Sequence, residues 1–297
     1  MRVTLKLILI ALLAAVAAPP QTRVWLDADT ANEIDDLYAL TRALTAPGLE
    51  VVALSSAQWS GSPLADKRNT MEMSQHLNEA LLGLLGKSTI PHPRGSIVPV
   101  YWWGRDRAAY SGAAYHLMQE ARQSSPENKL TVVALGALTN VASAIMMDPS
   151  IAARMKLYWL GAEVRDGVWN KNEFNCLNDI HALNEVFNAR DLEFYVMPAT
   201  VARALTFDYD DTAARLRNRG RLADFLLNRW TQFSPGSSRW IMWDLAAVEW
   251  LLSPDLVESK MLSTPPENTK REIRVATSID AARMRDKFWE ALKAAGH

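Results

Sequence analysis

The sequence has little of what several functional classes require. A single cysteine, Cys176, excludes an intramolecular disulfide and reads as a small buried hydrophobe. Five histidines, at positions 76, 92, 116, 181 and 297, show no zinc-ligand spacing and match no catalytic position. Lys plus Arg number 32 against 33 Asp plus Glu, so no cationic excess supports a nucleic-acid-binding surface. No apolar run reaches the ~20 residues of a membrane span. Repeats, linkers and low-complexity tracts are lacking too. What is present is a core: 49% of the 297 residues are hydrophobic and 22% charged, which excludes wholesale disorder. Eleven tryptophans are spread from Trp25 to Trp289. Most serve packing, although an indole also suits a planar ligand.

The N-terminus reads as targeting rather than fold. Arg2 and Lys6 precede the apolar run Leu7–Leu13, followed by Ala14-Ala15-Val16-Ala17-Ala18 and two prolines. This order describes a secretory signal peptide over residues 1–18, with cleavage expected after Ala17. The alternative is an uncleaved anchor. Cleavage would leave no stable membrane span and an exported protein, periplasmic or secreted.

Residues 22–297 read as one domain. Val24-Trp25-Leu26 forms a buried strand ending at Asp27 and Asp29. Leu37, Leu40 and Leu44 then recur at helical spacing, so a helix begins near Asp35-Asp36 and stops at Pro47-Gly48. Strands are expected at 49–55, 130–135, 156–160, 192–197 and 274–278. Helices are expected after Thr139-Asn140, over 181–187 and over 281–295, and a loop of Gly, Asn and Asp follows residue 160. Alternating strands and helices imply an open, mainly parallel α/β sheet covered on both faces. Ligands of such sheets bind beyond the strand C-termini.

Asp27, Asp29, Asp35 and Asp36 fall within ten residues at that edge. Crowded carboxylates repel unless something neutralises them, and a hard cation such as Ca²⁺ does so with oxygen ligands. A solvated loop with helix-capping carboxylates is the other reading. The Asp27-x-Asp29 pair loosely resembles the haloacid-dehalogenase phosphatases, which would make Asp27 a nucleophile. Ala31 departs from that family's pattern and no later lysine motif follows.

A closer resemblance is to the inosine–uridine nucleoside hydrolase family. It rests on Leu26-Asp27-Ala28-Asp29-Thr30-Ala31-Asn32-Glu33-Ile34-Asp35-Asp36-Leu37, whose loop is two residues longer than the common form. In family order come Val133–Ala142 with Leu138-Thr139-Asn140, then Asn172-Glu173-Phe174-Asn175 with Asp179 and Ala182. Trp243-Asp244 with Ala246-Ala247-Val248 and Asp286-Phe288-Trp289 complete the pattern. The match spans about residues 22–295 and implies a Rossmann-like sheet.

The resemblance implies the following roles. Asp29, Asp36, Asp244 and the Leu135 carbonyl hold Ca²⁺, which chelates the ribose 2′- and 3′-hydroxyls and holds the attacking water beneath C1′. Asp29 is the general base. Asp35, Glu173 and Asn175 bind ribose hydroxyls, with Asn170 or Asn172 reaching the 5′-hydroxyl. Carboxylates suit a ribose that gains positive charge as the glycosidic bond breaks. Trp243 stands where many members carry a histidine acid; an indole there stacks on a base and points to purine nucleosides. Trp102 or Trp103 would give the opposing face, or else pack in the core. Trp59-Ser60 replaces a common Gly-Asn, so Gln58 is the candidate to remake a polar contact. The partner is a small nucleoside, and the family's assemblies imply a homodimer or homotetramer. The departures motivate an alternative: a weakly active or non-catalytic nucleoside- or ribose-binding protein.

Overall fold

In a computed structural model of the chain, the described residues are 21–61, 69–101 and 107–296. The expected signal segment and Trp102–Trp103 lie outside them. The strands are β1 (Thr22–Ala28), β2 (Leu49–Ser56), β3 (Leu130–Ala134), β4 (Met155–Leu160), β5 (Glu163–Arg165), β6 (Val168–Asn170), β7 (Glu193–Met197), β8 (Thr206–Asp208), β9 (Arg239–Ile241), β10 (Val257–Ser263) and β11 (Glu272–Ile279). The helices are α1 (Asp35–Leu44), α2 (Thr70–Leu84), α3 (Gly112–Arg122), α4 (Thr139–Met147), α5 (Phe174–Asn178), α6 (Ile180–Asn188), α7 (Ala199–Ala202), α8 (Tyr209–Leu216), α9 (Arg221–Phe233), α10 (Trp243–Leu252) and α11 (Ala281–Ala294).

Seven strands form the main sheet in the order β10-β11-β7-β4-β3-β1-β2. All neighbours pair in parallel except β10, which runs antiparallel to β11. Strand β1 sits between β2 on one side and β3 on the other. The chain thus reverses its direction of winding at β1, which opens a crevice at the C-terminal ends of β1 and β3.

The period of two along β1 divides the core. Val24, Leu26 and Ala28 join one apolar cluster with α1, α10 and α11, while Trp25 joins another with α3, α4 and α6. With both faces covered, the central strands are near-continuous apolar runs. Leu130–Ala134 is buried at every position.

The expected parallel architecture is present, and three features were not expected. Strand β10 alternates half-buried with exposed residues, as an edge strand does, so its apolar signal is weak. The segment read as a loop after residue 160 contains the hairpin β5–β6. Asp166 and Gly167 at its turn have φ of 51° and 80°, the left-handed pair that an Asp-Gly two-residue turn supplies. The short ribbon β8–β9 leads into α10. Among the described residues, no helix is long and apolar enough to cross a membrane.

Candidate active site

A cavity of about 280 Å³ opens at the crevice between β1 and β3. It is lined by Asp29, Asp35, Asp36, Leu135, Glu173, Asn175, Trp243 and Asp244, eight of the residues expected at the site. Glu33, Phe174, Glu163 and Arg203 also face it.

Two helix N-termini build its floor. Asp35 and Asp36 occupy the first turn of α1, and Asp244 the first turn of α10. Neither helix has a side-chain cap of its own. Instead Asp35 Oδ2 accepts the Asp244 N–H across the helix pair at 3.0 Å. Both positive dipole ends therefore point at the carboxylates and offset part of their repulsion. Ligand oxygens of Asp35, Asp36 and Asp244 lie within 4.8 Å of one another.

Asp29 lines the same cavity but lies outside that closest group, and the β3–α4 turn makes room for it. A Cβ at Gly136 would sit 2.8 Å from the Asp29 Cγ. The turn is pinned by the Trp159 indole, whose N–H donates to the Gly136 carbonyl at 2.9 Å. Leu135 is held from below by its N–H bond to the Asp27 carbonyl at 2.8 Å. Its own carbonyl accepts the Asn175 amide at 3.0 Å, and the same amide donates to the Leu160 carbonyl at 3.1 Å. Asn175 thus fixes the main-chain oxygen expected to face the metal.

The longer first loop is fastened to α2. Thr30 Oγ1 donates to Asn78 Oδ1 at 2.6 Å, and the Ala31 N–H to Ser74 Oγ at 3.3 Å. These bonds anchor the segment between Asp29 and Asp35 to the body of the protein.

Asp29 Oδ2, Asp36 Oδ1 and Asp244 Oδ1 are buried and have no hydrogen-bond partner among the described residues. Burial is the main force raising these carboxyls well above the usual range; the next is Asp35 for Asp29, Asp29 for Asp36 and Asp36 for Asp244. Burial, then Glu33, pushes Asp35 up to about 8. With protein groups alone around them, these carboxylates resist ionising together. A divalent cation with hard oxygen ligands relieves both the desolvation and the repulsion. Orphaned oxygens, an all-oxygen donor set and two helix N-termini fit such an ion.

Glu173 is the N-cap of α5. Its carboxylate accepts N–H bonds from Asn175 at 3.0 Å, Cys176 at 3.2 Å and Ala162 at 2.9 Å. Burial nevertheless raises its pKa, against those bonds. Trp243 opens α10 beside the metal floor, and Phe174 is a second aromatic side chain on the cavity.

Other expected residues lie elsewhere. The Gln58 amide is spent on Thr139, Asn178 and Ser60, so it remakes no contact in the cavity. Asn170 donates to Glu163 at 3.0 Å and accepts the Asn172 N–H; neither asparagine lines the cavity. His116, to which the sequence assigns no catalytic position, packs on Trp25 in the opposite cluster. Asp27 does not line the cavity either and is fully buried, so the phosphatase assignment of a nucleophile fails. Glu33 faces the cavity although the sequence pattern assigns it no role. The signal for it was an acid inside an already acidic loop.

The chain matches the family model described as inosine-uridine preferring nucleoside hydrolase over residues 24–289. It is 27% identical over 273 residues to the Escherichia coli K12 non-specific ribonucleoside hydrolase RihC, covering 84% of this chain and 86% of that one. A plant nucleoside hydrolase structure superposes with a TM-score of 0.73 at 20% identity, over 93% of this chain and 100% of that chain. A purine-preferring ribonucleoside hydrolase from Gardnerella vaginalis gives 0.69 at 19% identity, over 93% and 99%. The fold, the order of the motifs and the extent of the family match lead to one conclusion: the chain belongs to the inosine-uridine preferring nucleoside hydrolase family.

Proposed function

We propose that the chain hydrolyses the N-glycosidic bond of nucleosides to free base and ribose, with Ca²⁺ as its metal and a preference for purines. One observation carries this reading: three buried, unpartnered carboxylate oxygens, from Asp29, Asp36 and Asp244, converge on one cavity beside the Leu135 carbonyl. Bound there, Ca²⁺ would neutralise the cluster, offer coordination to two sugar hydroxyls and acidify a water.

The chain's own groups do the rest. Asp29 takes a proton from the water that attacks C1′. The C1′–N bond breaks with its electron pair leaving on the base, which takes up a proton from solvent, and the ribose gains positive charge as the bond breaks. Glu173 and Asp35 stabilise that charge more in the transition state than before it. Asp35 grips a ribose hydroxyl through Oδ1, because Oδ2 holds the Asp244 N–H. The Asn175 amide nitrogen is occupied, so its contact with the sugar is through Oδ1. Trp243 stacks on the base, a contact worth ~1–3 kcal/mol that favours the larger purine face.

A second reading has its own observation. Glu173 is satisfied by three backbone N–H groups and Asn175 by two carbonyls, which leaves fewer free groups for the sugar. That favours a weakly active or non-catalytic nucleoside-binding protein. Ribose release from inosine, adenosine, guanosine, uridine and cytidine, with Ca²⁺ and after exhaustive chelation, decides between them. Release that needs Ca²⁺ supports the hydrolase; binding without release from any of the five supports the second reading.

We also propose export to the periplasm or beyond the cell, from the basic, apolar and Ala-rich order of residues 1–18. Cell fractionation with N-terminal sequencing tests this. A homodimer or homotetramer is proposed as the assembly, to be measured by light scattering.

A further inference from the structure

Two carboxylates on the cavity have no part in the chemistry above, Glu33 and Glu163, and Glu163 is engaged by Asn170 and Arg165. Glu33 lines the same cavity as Asp29 and Trp243. Its Oε2 is buried and has no hydrogen-bond partner among the described residues. Burial raises its pKa, hydrogen bonding of the carboxylate with the Trp240 and Trp243 indoles opposes that, and the Glu173 charge adds to it. Like Asp29, it stands outside the closest carboxylate group, Asp35, Asp36 and Asp244.

The loop that carries Glu33 is held in place. Thr30 and Ala31 are bonded to Asn78 and Ser74 of α2, and the Asn32 N–H closes a turn on the Asp29 carbonyl at 2.7 Å. Leaving a buried acceptor unsatisfied costs about 1–3 kcal/mol. A ligand N–H placed between the sugar-binding carboxylates and the stacking tryptophan would recover it. A carboxyl group keeps an acceptor oxygen whether ionised or protonated, so the contact needs no particular charge state.

Resting on the hydrolase reading, we infer that Glu33 selects the base: its Oε2 accepts an N–H from the six-membered-ring edge of a base stacked on Trp243, which favours 6-oxopurine nucleosides through their N1–H. A base with no N–H on that edge leaves Glu33 unsatisfied and is bound less well in the transition state.

The test compares kcat/KM for inosine and for purine riboside, which shares the sugar and ring system but lacks N1–H, in the Ca²⁺-loaded enzyme. Glu33→Ala is expected to lower the value for inosine about 10- to 100-fold and that for purine riboside less than about 3-fold. Glu33→Gln keeps an acceptor carbonyl and should recover most of the inosine rate. Glu33→Met keeps the volume without the acceptor and serves if the alanine variant does not fold. Equal losses on both substrates, or no loss on either, overturn the inference. A loss that disappears with 5′-deoxyinosine also overturns it, by assigning Glu33 to the sugar. Wild-type turnover of inosine reports separately on the hydrolase reading. If there is none, the same pair of ligands is compared by calorimetric binding, with the same ratio expected.

Discussion

Asp27 and Asp29 stand two residues apart at the end of one strand, and the fold treats them in opposite ways. Asp27 continues the Trp25 side of β1. Its Oδ1 accepts the Ser55 hydroxyl at 2.6 Å and the Asn140 amide at 2.9 Å, and Trp25 in turn donates to Ser55 at 2.9 Å. Asn140 also donates to the Ser56 carbonyl at 3.1 Å and accepts the Ser96 N–H at 3.1 Å. Asp27 is thus a knot that ties β1, β2 and α4 together. Asp29 lies past the strand, opposite a glycine, with an oxygen left open to the cavity. Both carboxyls are raised by burial, Asp27 to about 6 and Asp29 well above the usual range. Only Asp29 has three carboxylates of the metal floor around it to gain from a cation. Each carboxyl keeps one buried oxygen without a partner among the described residues, so acidity and burial at a strand end do not identify a catalytic group; what separates the two is that Asp29 lines the cavity among other carboxylates and Asp27 does not.

Substitutions can separate the two. The largest effect is expected from Asp29→Asn, which removes the proton acceptor. Turnover of inosine should fall by roughly 10²–10⁴, the usual contribution of a general base, as read by ribose release. The melting temperature of the metal-free variant should not fall, because one repelling charge is gone. Gly136→Ala places a methyl group against the Asp29 carboxyl. A misplacement of about 1 Å is enough to cost on the order of 10² in kcat, measured against an unchanged secondary-structure spectrum.

Asp27→Ala should invert this pattern. It strips partners from buried Ser55 and Asn140 and should cost about 2–4 kcal/mol in urea unfolding, with kcat within a few-fold of wild type. Loss of turnover without loss of stability would make Asp27 a catalytic residue and erase the distinction. Trp243→Ala should lower the purine-to-pyrimidine ratio of kcat/KM about 10-fold, within the range of a lost base stack.

The metal floor predicts a pH signature. In the folded, metal-free chain Asp35 holds its proton up to about 8, whereas the ordinary value is 3.8. Between those values the folded state binds more protons than the unfolded state. The stability of the metal-free protein should therefore fall as pH rises from about 4 to about 8. Saturating Ca²⁺ should remove the fall at the upper end, since it binds the ionised carboxylates, and add about 2.7 kcal/mol at 100 times its dissociation constant. Thermal melts across that range, with and without Ca²⁺, check both statements.

Much of this was legible in the sequence. The apolar runs of β1, β3 and β4 are buried on both faces and leave an unmistakable pattern, and Asp35, Asp36 and Asp244 follow from motif order. Strand β10 was hidden because an edge strand buries only one side. The hairpin β5–β6 was hidden because three-residue strands carry no period, although Asp166-Gly167 marks its turn. Gln58 and Asn140 show the other limit. Gln58 follows a strand and Asn140 opens a helix at the ligand edge of the sheet, and only tertiary contacts reveal that their hydrogen bonds are used inside the protein. Glu33 was concealed by its company, since one more acid in an acidic loop stands out only once its oxygen is seen to lack a partner.

The most direct test of the central claim is to measure inosine binding and inosine turnover side by side in Asp29→Asn with Ca²⁺ present. If Asp29 is the proton acceptor in a hydrolytic site, the variant binds inosine while releasing almost no ribose, and the wild type does both. Ribose release by the variant at the wild-type rate would contradict the assignment and return Asp29 to the same structural standing as Asp27.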